Sequence, residues 1–202
     1  FRVDRSIPGS KQLKYGLPTI LTPHPAVPAT QIASLLSHPA APGTLPCKIE
    51  VATEMHADGG LSLRYRVTCP PAKLRLPEAQ PPGPADGLWQ DTCCEAFVAE
   101  DGESYREFNF SPSGQWAAYR FTGYRERDAA FVADAAPQIS LTPLADGFVL
   151  QAMLPAALLP AGQALQLGLT AVIEADDGSK HYWALAHCAA QPDFHVRQSF
   201  SL

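Results

Sequence analysis

The sequence lacks three features that mark common classes of protein. No apolar stretch approaches the ~18 residues that a membrane-spanning helix needs. No run of Lys or Arg occurs, and a formal net charge of -5 with interleaved charges argues against nucleic acid as a ligand. No Cys-x-x-Cys pair is present, which disfavours a structural zinc site. The chain therefore carries no sequence signature of membrane insertion, nucleic-acid binding or zinc-dependent folding.

Cysteine is also scarce, and its pattern does not suggest a disulfide framework. The count is odd and includes an adjacent pair: Cys47, Cys69, Cys93, Cys94 and Cys188. We expect small, mostly buried apolar side chains in a reducing compartment, which favours the cytoplasm. The sequence starts at Phe1 without an apolar signal segment, and removal of a leader stays open.

Proline and glycine, in contrast, are frequent. The chain has 20 prolines and 14 glycines in 202 residues, which is more typical of short strands joined by turns than of helices. Residues 1–20 show no period and are interpreted as an N-terminal arm or leader, and residues 21–202 as a single domain. Within that domain, residues 21–29 should be extended at a sheet edge because of their prolines. Residues 31–38 are predicted to form a short helical turn.

Alternating apolar and polar side chains predict many strands. Strands at residues 48–56 and 61–68 are joined by Ala-Asp-Gly-Gly, which indicates a hairpin. Turn signals at the ~8–12-residue spacing of all-β folds separate the other candidates. These are residues 92–99, 104–110, 115–123, 138–142, 148–154, 165–175 and 181–187. The pattern predicts an all-β sandwich or barrel.

The most informative stretch is residues 88–125, LWQDTCCEAFVAEDGESYREFNFSPSGQWAAYRFTGYR. It combines tryptophans, tyrosines, arginines and carboxylates in strand-like segments joined by polar turns. Successive side chains of a strand point to opposite faces, so one face can contribute to a core while the other displays aromatic and charged groups. Such a surface suits a flat polar ligand such as a sugar, and it equally suits a sheet that binds no ligand.

Three blocks together resemble the bacterial DOMON-like proteins, a group similar to the family 9 carbohydrate-binding modules. The blocks are TPHP, LWQDTCCEAF with YREFNFSPSGQWAAYRFTGYR, and HYWALAHCAAQPDFH. The resemblance covers roughly residues 21–202 and is most specific in the central block. It implies a two-sheet antiparallel β-sandwich.

The resemblance also implies a sugar site. Family 9 modules hold a sugar between two tryptophans, with carboxylate, amide and cationic groups binding its hydroxyls. One tryptophan comes six residues before a strand glutamate, as Trp89 precedes Glu95 here. The other lies close to the C-terminus, where this chain has Trp183. Asn109 and Arg120 complete the candidate ligand-binding set.

Each candidate also has a purely structural interpretation. Trp89 and Trp183 could pack at the edge of a core. Glu95 shares a strand face with apolar neighbours, so its carboxylate needs a partner, either an arginine or a ligand hydroxyl. The face of Glu107 and Asn109 suits binding, although Glu107 could simply pair with an arginine. Core packing is the expectation for Trp116.

The function expected from these residues is non-catalytic binding of a saccharide or polyol. His187 and His195 flank a turn and are predicted to be hydrogen-bonded structural histidines. No acidic loop has calcium-ligand spacing, and no metal or cofactor is expected. One alternative is a b-type haem electron-transfer domain, as in some DOMON relatives, although Met55 and Met153 match no such context. The other is a protein-interaction domain with no small ligand.

Overall fold

The computed structural model describes residues 30–41, 45–100, 102–162 and 164–202, and the regular structure in these ranges is almost entirely β. The predicted arm at residues 1–20 and the extended segment at 21–29 lie outside the described residues. In the described ranges, three short 3-10 helices lie between strands, namely Pro71–Lys73, Leu88–Gln90 and Ala156–Leu158, and a fourth, Arg197–Ser199, follows the last strand. The strands are β1 (Gln31–Ser37), β2 (Lys48–Met55), β3 (Leu61–Thr68), β4 (Leu74–Arg75), β5 (Gly83–Pro84), β6 (Cys93–Ala99), β7 (Tyr105–Phe110), β8 (Gln115–Phe121), β9 (Gln138–Leu144), β10 (Gly147–Leu154), β11 (Gln166–Ala175) and β12 (Lys180–Ala184).

The strands form one continuous hydrogen-bonded path that curls on itself. Its order is β5-β8-β7-β6-β11-β12-β1-β2-β3-β10-β9, with β4 added beside β11. Strand β1 joins the two halves, because residues 31–35 pair with β2 while Leu36 and Ser37 pair with β12. All of these pairs are antiparallel except β5–β8. The all-β prediction is confirmed, whereas two separate sheets are not, since β1 belongs to both halves.

The main core lies between the two halves of the curled sheet. It includes Val51 and Leu63 from one half and Val98 and Phe108 from the other. The Tyr65 side chain reaches across the core, and its hydroxyl donates a hydrogen bond to the main-chain oxygen of Glu95 over 2.6 Å. This bond fixes the position of β6 relative to β3.

The predicted hairpin is present as β2 and β3. Their register pairs Lys48 with Thr68 and Met55 with Leu61. In the turn, Asp58 Oδ1 accepts a hydrogen bond from the Gly60 main-chain N–H (2.9 Å), and the preceding glycine has a positive φ of 83°. The Asp-Gly chemistry therefore sets the register, as the sequence predicts.

The helical turn predicted at residues 31–38 is wrong, because this segment is strand β1. Leu35 is its buried residue, whereas Ile32 and Leu36 are 71% and 59% exposed. The segment has no strong strand period of its own. It is extended because strands on both sides offer it main-chain hydrogen bonds, a tertiary effect that overrides local propensity.

The cysteine prediction is wrong for one pair, because Cys47 and Cys69 form a disulfide with their Cα atoms 4.3 Å apart. They directly precede β2 and directly follow β3, so the hairpin register brings them together. Cys93 and Cys94 are free and buried, as expected, and Cys188 is exposed. An odd count of five obscured the pair, because cysteine spacing does not reveal which residues a hairpin places opposite each other.

Candidate functional site

A cavity of about 880 Å³ lies on the half of the sheet formed by β5, β8, β7, β6, β11 and β12, on the face that is turned away from the main core. We call this face the cavity face. Loops at residues 40–41, 86–89, 125–127 and 191–195 surround the cavity. Its size falls within the roughly 300–1,000 Å³ usual for small-ligand sites. Seven residues from the strands line it: Glu95, Phe97, Glu107, Tyr119, Phe121, Val172 and Tyr182.

Strand alternation explains why β6 contributes to both the core and the cavity. Cys94, Ala96 and Val98 belong to the main core, whereas Glu95 and Phe97 line the cavity. All seven residues of β6 are buried, because each face is covered. A nearly continuous apolar strand with one glutamate is therefore the sequence signature of this position.

Two carboxyl groups, those of Glu95 and Glu107, lie on the cavity face. Glu95 is 2% exposed, and its Oε2 accepts a hydrogen bond from Thr170 Oγ1 over 3.1 Å. Glu107 is 6% exposed, and its Oε1 accepts one from Asn109 Nδ2 over 2.8 Å. Burial, and then the charge of Glu107, raises the pKa of Glu95 to about 8, and burial also raises the pKa of Glu107. The pair is therefore disposed to hold a proton near neutral pH.

Asn109 supports this pair from a fully buried position. It lies opposite Glu95 in the β6–β7 register and on the same sheet face. Its Nδ2 donates a hydrogen bond to Glu107, while its Oδ1 has no hydrogen-bond partner in the described part of the chain. Asn109 is not among the side chains that line the cavity. The amide thus orients Glu107 at the cavity.

His195 lies beside Glu107 and is bound to Tyr105. Its Nδ1 shares a 2.8 Å hydrogen bond with the Tyr105 hydroxyl, which also accepts one from the Arg125 main-chain N–H (3.2 Å). His195 Nε2 is 3.7 Å from Glu107 Oε2. Burial, and then the charge of Arg125, lowers the pKa of His195 to about 4. The imidazole is therefore neutral at neutral pH and does not compensate the charge of Glu107.

The arginines at the cavity are paired with aspartates at its rim. Arg125 donates to Asp193 Oδ1 over 2.9 Å, and this carboxylate also accepts the His195 main-chain N–H. Arg127 lies 3.6 Å from Asp86 Oδ1, with its guanidinium carbon 4.1 Å from the centre of the Tyr119 ring. The positive charges are thus largely matched at the rim.

Trp89 is the most accessible aromatic side chain of the cavity. It is 52% exposed and lies in the 3-10 helix Leu88–Gln90, which follows Gly87 with a positive φ of 75°. The half-buried Tyr182 and the rings of Tyr119 and Phe121 also line the cavity. These rings offer flat apolar surface next to the buried carboxyls.

The structure brings three of the five predicted site residues to this region, namely Trp89, Glu95 and Asn109. It does not bring Trp183, which is 7% exposed and packs in the main core. Strand β12 sends alternate side chains to opposite faces, and its cavity-facing aromatic residue is Tyr182. The expectation that Trp183 faces a ligand is therefore wrong for this cavity.

Arg120 lies on the other face of β8 and does not reach the cavity. Its guanidinium pairs with Asp128, with a 2.8 Å hydrogen bond from Nε, and lies 5.2 Å from the Phe131 ring centre. Trp116 shares this face and is half-buried at the edge of the sheet rather than enclosed in the core. Alternation along the strand separates both residues from Tyr119.

Sequence reasoning missed the site residues that loops supply. Arg125, Arg127 and Phe194 sit in irregular segments, where no period reveals a shared face. Glu107 was recognisable, because alternation places it on the polar face of β7. His195 was predicted to be a hydrogen-bonded structural histidine; its bond to Tyr105 confirms the hydrogen bond, but the residue also lines the cavity.

The described residues show no group of three or more His, Cys, Asp or Glu side chains arranged to hold a metal ion. Met55 and Met153 lie on β2 and β10 and are 43% and 39% exposed. Neither lines the cavity. In the same part of the chain, no helix is long and apolar enough to cross a membrane.

No protein-family model and no curated protein sequence matches the chain. Among solved structures, the fold is similar to that of a proposed carbohydrate-binding protein from Bacteroides uniformis, with a TM-score of 0.61 and 17% identity. That match covers 85% of this chain and 84% of the other. A family 9 carbohydrate-binding module from Caldicellulosiruptor kristjanssonii, in complex with cellotriose, matches with a TM-score of 0.46 and 14% identity over 74% and 70% of the two chains. The chain thus has an all-β fold like that of the first of these proteins.

Proposed function

We propose that this protein is a non-catalytic module that binds a saccharide in the cavity. The observation that carries the proposal is the combination of aromatic rings and buried carboxyl groups in one cavity of suitable size. A sugar ring has apolar C–H patches that pack on aromatic faces and hydroxyls that hydrogen-bond to carboxylates. The fold likeness to the proposed carbohydrate-binding protein from Bacteroides uniformis supports this assignment.

The aromatic contacts differ from the pair of tryptophans that the sequence predicts. Trp89 is the stacking platform, because it is exposed at the cavity. Tyr182 takes the place expected for Trp183, since it is the aromatic residue of β12 on the cavity face. The sugar is therefore held by a tryptophan and a tyrosine on different elements.

The polar contacts come from Glu95 and Glu107, with Asn109 positioning the second carboxyl. Arg125 and Arg127 replace Arg120 as the cationic side chains at the ligand. Single sugar sites of this kind bind weakly, with dissociation constants on the order of micromolar to millimolar.

The proposal is tested by titrating the protein with mono- and oligosaccharides while recording tryptophan fluorescence, with calorimetry as the second measurement. We expect a saturable change that Trp89→Ala abolishes. Trp116→Ala is the matched control, because it removes a tryptophan from the other sheet face. Circular dichroism establishes that both variants are folded.

A flat response of the folded wild-type protein to a broad glycan panel would overturn the proposal. Equal binding by the wild type and Trp89→Ala would overturn the platform role of Trp89. Recovery of the oligosaccharides unchanged after long incubation is the expected result for a module without catalytic activity.

A further inference from the structure

The cavity holds more buried negative charge than its own cations compensate. Among the described residues, neither Glu95 nor Glu107 forms an ion pair with an arginine or lysine, and their hydrogen-bond donors are the uncharged Thr170 and Asn109. An uncompensated carboxylate at such burial is costly unless a proton or a cation neutralises it. Burial raises the pKa of both carboxyl groups and so favours a bound proton in the free protein, and a cationic ligand can take the place of that proton.

The cationic groups nearest to the pair are committed elsewhere. Arg125 is hydrogen-bonded to Asp193 (2.9 Å), and Arg127 lies between Asp86 and the Tyr119 ring. The His195 imidazole is neutral at neutral pH, because its pKa is lowered to about 4. The charges of Arg125 and Arg127 still favour the carboxylate of Glu107, but neither arginine forms an ion pair with it, and among the described residues no cation acts in this way on Glu95.

The other side chains around the pair are suited to a cation. Phe97 and Phe121 line the same cavity, whereas the Tyr119 ring already carries the guanidinium of Arg127. Aromatic faces attract an ammonium group through their quadrupole.

We propose that the ligand is a saccharide with a free, protonated amino group, and that its ammonium binds at Glu95 and Glu107. This inference rests on the proposed saccharide-binding function and specifies its ligand class. When the ammonium enters, the carboxyl pair releases the proton that it holds to the solvent, and the ammonium N–H groups donate hydrogen bonds to the resulting carboxylates. Charge is conserved, since one proton leaves as one cation binds.

The test is calorimetry at pH 6, where the amines are protonated, with three matched oligosaccharides: β-1,4-linked glucosamine, its N-acetylated form and the corresponding glucose oligomer. We expect the free amine to bind at least ten-fold more tightly than either neutral sugar. Titration in buffers of different ionisation enthalpy should show proton release with the amine and none with the neutral sugars. A uronic acid oligomer serves as the anionic comparison.

Two variants locate the preference in the cavity. Glu95→Gln and Glu107→Gln keep the shape of the side chain and should remove most of the preference for the amine, measured as the ratio of its affinity to that of the neutral sugars for the same variant. Glu54→Gln, on strand β2 outside the cavity, is the control and should behave as the wild type.

The possible failures are distinguishable. Equal affinity for amine and neutral sugars, or an amine preference that persists in both cavity variants, overturns this inference and leaves the proposed function standing. Tighter binding of the uronic acid overturns it in favour of Arg125 and Arg127 as the specificity residues. If none of the four sugars binds detectably, both the inference and the proposed function are overturned.

Discussion

Glu95 on β6 and Glu107 on β7 face the same cavity from adjacent strands, as diagonal neighbours in the strand pairing. Glu95 lies opposite Asn109, and Glu107 lies opposite Phe97. Each carboxyl receives a hydrogen bond from an uncharged side chain, and in the described chain neither is paired with an arginine or lysine. Two carboxyls at such close quarters resist simultaneous ionisation, so the protonation state of the pair influences the stability of the fold.

The first prediction concerns stability against pH. Burial raises the pKa of Glu95 from its ordinary 4.5 to about 8. The contribution of this group is fully present below about pH 4.5 and is lost as the pH rises through 8, with a slope of up to ~1.4 kcal/mol per pH unit. Urea unfolding of the wild type and Glu95→Gln between pH 5 and 9 measures it. The free energy of unfolding of the variant should rise relative to that of the wild type as the pH rises. A constant difference between the two across this pH range would contradict the prediction.

The second prediction concerns the acid side. Burial lowers the pKa of His195 to about 4, below its ordinary 6.5. The neutral imidazole therefore stabilises the fold fully above pH 6.5, and this contribution is lost as the pH falls towards 4, again by up to ~1.4 kcal/mol per pH unit. His195→Gln should be less stable than the wild type at pH 7 and close to it at pH 4. Chemical denaturation across this pH range provides the comparison. A difference in free energy of unfolding that does not change with pH would contradict the prediction.

The third prediction separates the two tryptophans of the predicted sugar sandwich. Trp183→Ala should destabilise the protein by about 3–5 kcal/mol, because it opens a hole in the main core. Trp183→Phe should cost much less, since Trp183 Nε1 has no hydrogen-bond partner in the described ranges and none is lost. Trp89→Ala should change stability by less than ~1 kcal/mol. Thermal unfolding distinguishes these cases, and acrylamide should quench Trp89 but spare Trp183.

The fourth prediction concerns the Cys47–Cys69 disulfide, which joins two cysteines separated by 22 positions in the sequence. Restricting the unfolded chain over a loop of this length stabilises the native state by about 3 kcal/mol. Cys47→Ala combined with Cys69→Ala should lower the free energy of unfolding by roughly this amount. Reductant should lower the denaturation midpoint of the wild type and leave the double variant unchanged. If the wild type does not respond to reductant under unfolding conditions, the bond does not form in solution.

The strands were predictable from the sequence wherever one face is buried and local turns define the register. The β2–β3 hairpin is the clearest case, because alternation and the Asp58-Gly59 turn agree. Strand β1 was not predictable, since its extended form depends on partners distant in sequence. The disulfide was hidden for a related reason: its two cysteines are neighbours only after the hairpin has formed.

The site was predictable in part. Alternation places Glu107 on the polar face of β7, whereas Glu95 has apolar neighbours on its face and was singled out by its spacing from Trp89. The choice between Tyr182 and Trp183 depends on which face of β12 meets the core, and two adjacent aromatics leave that undecided. Arg125 and Arg127 come from a loop whose course no local pattern encodes.

The two faces of strand β6 also bear on how such a protein can diverge. Its even and odd positions serve the core and the cavity respectively, so inserting one residue into the strand would exchange the two sets and disrupt both at once. The loops around the cavity carry no such double constraint. Substitutions at exposed loop positions such as Trp89 and Gln191 can therefore accumulate and redirect recognition to another ligand, while the strands beneath keep the same residues.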